Sequence, residues 1–315
     1  TLEELYLLKL LTNKLGSFNT ESILFKGENY SYLPSTIDTS EIDNFKDIIV
    51  LGGDIRKDEP IINSFIKKAA DFGANIKVFS SQKLDLNYLS QFKLMSDYDF
   101  ITVLNGIEVD KNSLIILADE INNINNLSAF NKLVKSKFDN ILNLSVSGNI
   151  SAINKLDFSC ENITDMSAYI LFNIAKENLN QELKSSINDA SFVVSLDVFG
   201  GNEELADVVL PIAGLYESAG TFININNLAQ SYTPAVTPPE QAKEGWKVIK
   251  VLADLLELKG FDFVNSAEVK NSAMHFKKAI KSIDVNDDNT YKINTNYIKQ
   301  IDSFVRNTKV LQRNN

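Results

Sequence analysis

Few residues of this 315-residue chain could carry nucleophilic or metal chemistry. It holds one cysteine, Cys160, and one histidine, His275. A tetrahedral zinc site or an iron–sulfur cluster takes about four Cys or His ligands, so these two cannot build either. A disulfide framework needs paired cysteines. A Ser-His-Asp or Cys-His site would have to be built on His275 alone. Cys160 lies between Phe158 and Ile163 with no His near it in sequence, and reads as a structural thiol. His275 stands between Met274 and Phe276 on a helical pattern. It reads as a packing or surface residue, since a general base needs a positioned partner.

The other polar clusters are equally poor. Gly52 and Gly53 follow a buried-strand pattern and precede a helix. In α/β folds that turn can hold a phosphate, because free N–H groups and the helix dipole favour an anion. The GxGxxG fingerprint and the Walker pattern are both absent. Asp54, Asp58 and Glu59 would repel a phosphate, against only Arg56 and Lys57, so this reads as a tight strand–helix turn. Asp284, Asp287 and Asp288 lack the Gly and closing Glu of a calcium loop and read as a solvated turn. Glu203 and Glu204 are adjacent, which gives no sign of the separated environments that an acid–base pair needs. The residues alone assign no catalytic, cofactor-binding or metal-binding position.

Composition narrows the classes further. The hydrophobic fraction is 44%, enough for a sizeable core, and the length suggests roughly two domains. Thirty-one basic and 41 acidic residues leave a net charge of −10, which disfavours nucleic acid and anionic lipid. No apolar run approaches the ~18 residues of a membrane span, and no secretory signal opens the chain. One cysteine and no export signal fit a reducing, cytoplasmic compartment.

The elements that must position these residues alternate between helix and strand. Leu2, Leu5, Leu8 and Leu11 form a helical stripe that stops at Gly16. Asp47–Leu51 (DIIVL) reads as a buried parallel strand. Asp58 as N-cap and Pro60 open a helix with Ile61, Ile62, Phe65, Ile66, Ala69 and Ala70 on its apolar face, closed by Gly73. A strand follows over residues 76–79, completing one βαβ unit. Further strands are expected over 99–104, 140–144, 191–196 and 206–210, the last ended by Pro211. Helices are expected over 112–123, 129–137, 165–183, 244–258, 267–283 and 296–309. Residues 214–239, with Gly220, Pro234, Pro238 and Pro239, read as a long ordered loop. The pattern predicts an α/β fold: Rossmann-like layers, largely parallel sheets and helices on both faces. The expected division is a first α/β lobe over 1–150, a second over 151–265 and a helical extension over 266–315. Ile48, Val50, Val193, Val194, Val208, Val209 and Trp246 are expected to be buried.

The second half carries a resemblance. Residues 206–211 read ADVVLP and residues 217–222 read ESAGTF, followed by Asn224, Gln230, Pro238, Pro239 and Trp246. This run resembles the molybdopterin oxidoreductase superfamily (formate dehydrogenase/DMSO reductase-like architecture). There, ADVVLP precedes E-x-x-GTF-x-N, a Gly-Arg-x-Gln turn and a Trp that begins a late helix. More closely the chain resembles the large iron–sulfur subunit (the G subunit) of respiratory complex I, the NADH–quinone oxidoreductase. Glu3, Leu5, Tyr6, Leu15 and Gly16 match the first helix of that family, and residues 51–60 (LGGDIRKDEP) its LxGxNPRxEAP turn, with Asp54 and Ile55 in place of Asn-Pro. The resemblance spans residues 2–263.

Two departures from the superfamily matter. Its active molybdenum enzymes supply a Cys, selenocysteine or Ser to the metal between the segments matched here by Gly16 and Gly52. This chain offers only hydroxyls such as Ser22 and Ser31 there, and Cys160 falls well beyond. The Gly-Arg turn is replaced by Asn226, Asn227, Leu228 and Ala229, with Gln230 retained. A Gly there could take positive φ, which Leu and Ala do only at a cost.

The resemblance implies a non-catalytic structural domain in the peripheral arm of complex I, which couples NADH-to-quinone electron transfer to proton translocation. It implies other peripheral-arm subunits as partners, with no nucleic acid and no direct membrane insertion. The expected location is the cytoplasmic face of a bacterial inner membrane, or the matrix side in a eukaryote. The chain then corresponds to the C-terminal portion of the large iron–sulfur subunit. No cofactor is expected in it, and iron–sulfur clusters are expected in the part that precedes it. The alternative is a molybdopterin-binding oxidoreductase domain, and a generic α/β binding module is the third reading.

Overall fold

The computed structural model describes residues 1–17, 33–95, 100–110, 112–118, 120–121, 124, 127–144, 149–158 and 163–276. Ser22, Ser31, Cys160, Asp284, Asp287, Asp288 and the helix expected over 296–309 lie outside the described residues, as does the end of the helix expected over 267–283.

Five parallel strands form the first sheet. They are β1 (Asp47–Leu51), β2 (Asn75–Ser80), β3 (Gln91–Leu94), β4 (Leu114–Leu117) and β5 (Asn140–Asn143), in the spatial order β3-β2-β1-β4-β5. The order reverses at β1, which places a topological switch point between β1 and β4. The period-2 geometry of a strand explains why DIIVL lacks polar alternation. Ile48 and Val50 face one core, with Ile62, Ile66 and Ala69 of α3 (Pro60–Asp71). Ile49 and Leu51 face the other core, with Phe100 and Leu104 of α4 (Phe100–Gly106) and Phe130 and Val134 of α5 (Leu127–Lys137). Helices therefore cover both faces, as the α/β reading expects.

The second sheet has three parallel strands, β6 (Ala168–Phe172), β7 (Phe192–Asp197) and β8 (Val208–Pro211), in sequential order. Tyr169, Leu171 and Val193 pack against Ile187 of α7 (Gln181–Asn188) on one face. The other face joins a second core. That core gathers Leu2, Leu7 and Leu11 of α1 (Leu2–Lys14), Ile153 of α6 (Ile150–Lys155), and Ile223 of β9 (Gly220–Ile223). It also takes in Trp246, Ile249 and Ala253 of α8 (Gly245–Leu255) and Val269 of α9 (Ser266–Met274). The first helix thus packs with the second half of the chain.

Several expectations need correction. Of the strand expected over 99–104, residues 100–104 are helical instead. Phe100 and Leu104 lie one helical turn apart and bury together on α5, and Lys137 Nζ binds the carbonyls of Leu104, Asn105 and Ile107 at the end of α4. The helix expected over 112–123 is instead β4, whose LIIL run is buried on both faces. A short apolar run does not distinguish a central strand from a buried helix. The helix expected over 165–183 divides into β6, a short 3₁₀ turn and α7, because Asn180 caps a new helix by accepting from the Leu183 N–H at 2.7 Å. The loop expected over 214–239 contains an antiparallel hairpin of β9 and β10 (Ala229–Tyr232). Asp58 does not cap α3. It ends the single turn α2 (Ile55–Asp58), which Asp54 caps. Pro211 is the last residue of β8, as expected, and is tolerated there because β8 is an edge strand. The same edge position leaves Val208 38% exposed and Val209 half-buried, and Val194 of β7 is half-buried too, while Ile48, Val50, Val193 and Trp246 are buried as expected.

Candidate functional site

In an open α/β sheet, ligands enter the crevice at the carboxyl ends of the strands, at the switch point. Here that place is framed by Gly52 and Gly53 after β1, Ser80 and Ser81 at the end of β2, and Glu120 after β4. Gly52 and Gly53 both take positive φ, +73° and +79°. A side chain would strain Gly52, and a Cβ there would lie 2.9 Å from Glu120 Cβ. The glycine makes room for the protein's own Glu120. Gly52→Ala combines left-handed backbone strain with overpacking. It is expected to cost about 2–4 kcal/mol in denaturant unfolding.

Glu120 is 4% exposed. Its carboxylate accepts from the Ser80 hydroxyl at 3.3 Å and the Ser81 backbone N–H at 3.2 Å. Asp54 accepts from the Lys57 N–H, and Arg56 turns away to Asp85, 2.5 Å from its Oδ2. Burial, then the neighbouring charge of Asp54, raises the Asp58 carboxyl above its ordinary value. Burial, then Asp58, raises Glu59. Half-buried Tyr88 is pushed up to about 12 by desolvation, then by the charge of Asp54. The charges of Asp54 and Glu120 near Asp58 disfavour a phosphate here.

The raised carboxyls give a signed pH prediction. Both release protons less readily in the fold than in the unfolded chain. Their contribution to stability is full below the ordinary carboxylate value and is lost as pH rises through the raised values. Glu59→Gln should therefore raise Tm slightly at pH 7, with the gain vanishing near pH 4. The effect should stay under about 1 kcal/mol, because the groups are partly solvated. Thermal melts at the two pH values check this.

The residues of the ADVVLP–GTF segment form a second polar constellation, centred on β9 and β10. Thr221 donates its backbone N–H to Glu3 Oε2 at 2.9 Å and its hydroxyl to Glu3 Oε1 at 2.5 Å. The same hydroxyl lies 2.9 Å from Ser231 Oγ. Glu3 and Thr221 are both buried, so the carboxylate is desolvated but fully engaged. Glu217 accepts from the Gly214 N–H at 2.9 Å. Asn224 closes the hairpin turn: its Oδ1 accepts from the Asn226 and Leu228 N–H groups, and its Nδ2 donates to Gln230 at 3.1 Å. Asn227, with φ +59°, takes the left-handed position, so Leu228 and Ala229 are spared it. Trp246 Nε1 donates to Glu244 at 2.9 Å, and Glu244 also accepts from the Ala219 N–H. An open groove alongside is lined by Lys243 and Lys247 but also by Glu217, Glu240 and Glu244, so it carries no net positive field.

The other residues noted from sequence are not drawn into either constellation. His275 is exposed at the end of α9, its Nδ1 2.7 Å from the Asn271 carbonyl. Glu203 accepts from the Gly201 N–H, which lowers its pKa, and Glu204 pairs with Lys176 at 2.6 Å. No group of three or more His, Cys, Asp or Glu with metal-binding geometry occurs among the described residues. The sequence reading missed Glu120, and it named Glu3 only in the match to the first helix, not as the partner of Thr221. Glu120 follows β4 by three residues, but with that segment read as a helix its place at a strand end was hidden. Glu3 sits 218 residues from Thr221, and no local pattern announces that meeting.

The sequence model of the molybdopterin oxidoreductase family matches residues 1–255. The chain is 26% identical over 282 residues to the mitochondrial NADH-ubiquinone oxidoreductase 78 kDa subunit of Candida albicans, covering 82% of this chain and 38% of that protein. It is 25% identical over 307 residues to the G subunit of the NADH-quinone oxidoreductase of Rickettsia typhi, covering 86% and 43%. A shorter match, 39% over 77 residues, is to the F420-dependent formate dehydrogenase subunit alpha of Methanocaldococcus jannaschii, covering 24% and 11%. The chain spans about two-fifths of the length of the two NADH oxidoreductase relatives.

Proposed function

The chain belongs to the molybdopterin oxidoreductase family, and on that premise we propose that it is a non-catalytic structural domain of the large iron–sulfur subunit of NADH–quinone oxidoreductase. The observation that carries the reading is the use made of the family's own motif. Thr221, Asn224, Gln230 and Trp246 bond to Glu3, to each other or to Glu244. Thr221 ties the hairpin to α1, Glu244 receives both Trp246 and the Ala219 N–H before the hairpin, and these engaged polar groups leave little to offer a cofactor. The family's cofactor is a poor fit to the crevice as well, since buried Glu120 holds the Ser80 and Ser81 donors there and Asp54 adds negative charge nearby.

In the intact complex, NADH oxidation, electron transfer through iron–sulfur clusters, quinone reduction and proton translocation would take place in other parts. This domain would support their assembly within the peripheral arm. Among the described residues no helix is long and apolar enough to cross a membrane. Attachment to the cytoplasmic face of an inner membrane, or the matrix side in a eukaryote, would come through partner subunits. Helix α8 supports a place in a larger assembly. It buries Trp246, Ile249 and Ala253 but leaves Val251 and Leu255 exposed on its other side. We read the chain as two α/β lobes, 1–150 and 151–265, and an extension over 266–315, with α1 reaching across to the second core.

The second reading, a molybdopterin-binding oxidoreductase domain, is favoured by the 77-residue match to a formate dehydrogenase subunit. Affinity purification of the tagged chain from membranes separates the two. Recovery with the NADH-oxidising subunits supports the scaffold. Recovery as a separate, pterin-loaded oxidoreductase overturns it.

A further inference from the structure

We propose that Glu120 is an internal strap that takes the anion position at the switch-point crevice, so that the protein's own carboxylate excludes a nucleotide or pterin diphosphate. The inference deepens the scaffold reading and can fail independently of it.

Topology puts Glu120 in that position. Strand β1 lies between β2 and β4. Glu120 leaves the end of β4, and its carboxylate reaches Ser80 and Ser81 at the end of β2. The side chain therefore crosses the end of β1, where the chain turns at Gly52. The contact at that turn is close, with an imagined Gly52 Cβ 2.9 Å from Glu120 Cβ and 3.3 Å from Ile121 Cγ1. In nucleotide-binding α/β folds a glycine at the first strand's end lets the backbone approach a pyrophosphate. Here the same freedom admits a glutamate.

Two donors at the end of β2 that an anion could use are already engaged. A phosphate at this place would be held by backbone N–H groups and hydroxyls. The Ser81 N–H and the Ser80 hydroxyl serve Glu120, and Ser80 Oγ in turn accepts from the Gln82 N–H at 3.1 Å. Ser80 is fully buried, so an incoming anion would have to displace a carboxylate from a closed site. The nearby basic residue Arg56 is engaged by Asp85. An anion would meet Glu120, Asp54 and Asp58, with Lys57 beside Asp58 as the opposing charge.

Glu120 is thus a positioning residue: it joins the ends of three strands and fills a ligand's place. The test uses the full chain and the variants Glu120→Ala and Glu120→Gln. Glu120→Ala orphans the Ser81 N–H and opens a cavity, and should lower Tm by about 5 °C. Glu120→Gln keeps an acceptor oxygen and should lose less than half of that. Wild-type protein titrated calorimetrically with inorganic pyrophosphate, then with a nucleoside diphosphate, should show no saturable binding. An unchanged Tm in Glu120→Ala would overturn the strap. Saturable pyrophosphate or nucleoside diphosphate binding by the wild type would overturn the exclusion. Neither result bears on whether the chain assembles with other subunits, so the scaffold reading stands or falls separately.

Discussion

Trp246→Ala is expected to cost about 3–5 kcal/mol of unfolding free energy and to lower Tm by roughly 10 °C. Trp246 is 3% exposed and sits in the core that joins α1, α6, β9, α8 and α9. Truncation leaves a cavity against neighbours, such as Ile249, that are fixed by their own helices. It also removes the indole N–H from Glu244, the carboxylate that receives the Ala219 N–H before β9. Trp246→Phe retains most of the volume and loses only the polar handle, so it should cost about 1–2 kcal/mol. Urea unfolding of the three proteins checks the ordering. A Trp246→Ala protein as stable as the wild type would remove the motif's Trp from the structural account.

The second large effect is at Glu3. Glu3→Ala should cost about 2–4 kcal/mol, because the Thr221 N–H, in a fully buried residue, loses a charged acceptor. The Thr221 hydroxyl retains Ser231 Oγ, so the loss is not total. Glu3→Gln should fall between, since its amide oxygen can still accept. A double-mutant cycle with Thr221→Val isolates the bond. The pair should be non-additive by about 1–2 kcal/mol. Additive effects would mean that α1 and the hairpin are joined by apolar packing alone.

The sequence was most legible where periodicity and punctuation agreed. DIIVL before Gly52-Gly53, the α3 stripe ended by Gly73, and the α8 pattern led by Trp246 all lie where their patterns placed them. It was least legible where a short apolar run could serve two geometries. LIIL is a central strand only because β1 and β5 flank it, a fact of tertiary pairing. Phe100 and Leu104 read as strand by composition but pack as a helix turn against α5.

The site followed the same rule. The negative charge at Asp54, Asp58 and Glu59 was visible and disfavoured a phosphate at once. The group that fills the crevice was not, since Glu120 acts through contacts 39 and 40 residues away at Ser81 and Ser80. The family motif showed the relationship but not what its residues do here. Asn227 takes the left-handed turn position, and Glu3 arrives from the far end of the chain. These are long-range meetings for which a linear pattern has no signal.

The central claim is that a molybdenum-enzyme scaffold serves here as structure rather than as catalyst. Its most direct test is the molybdenum and released-pterin content of the purified assembly containing this chain, measured per mole of chain by mass spectrometry and fluorescence. The account predicts both at background. Molybdenum and pterin in fixed stoichiometry with the chain would contradict it.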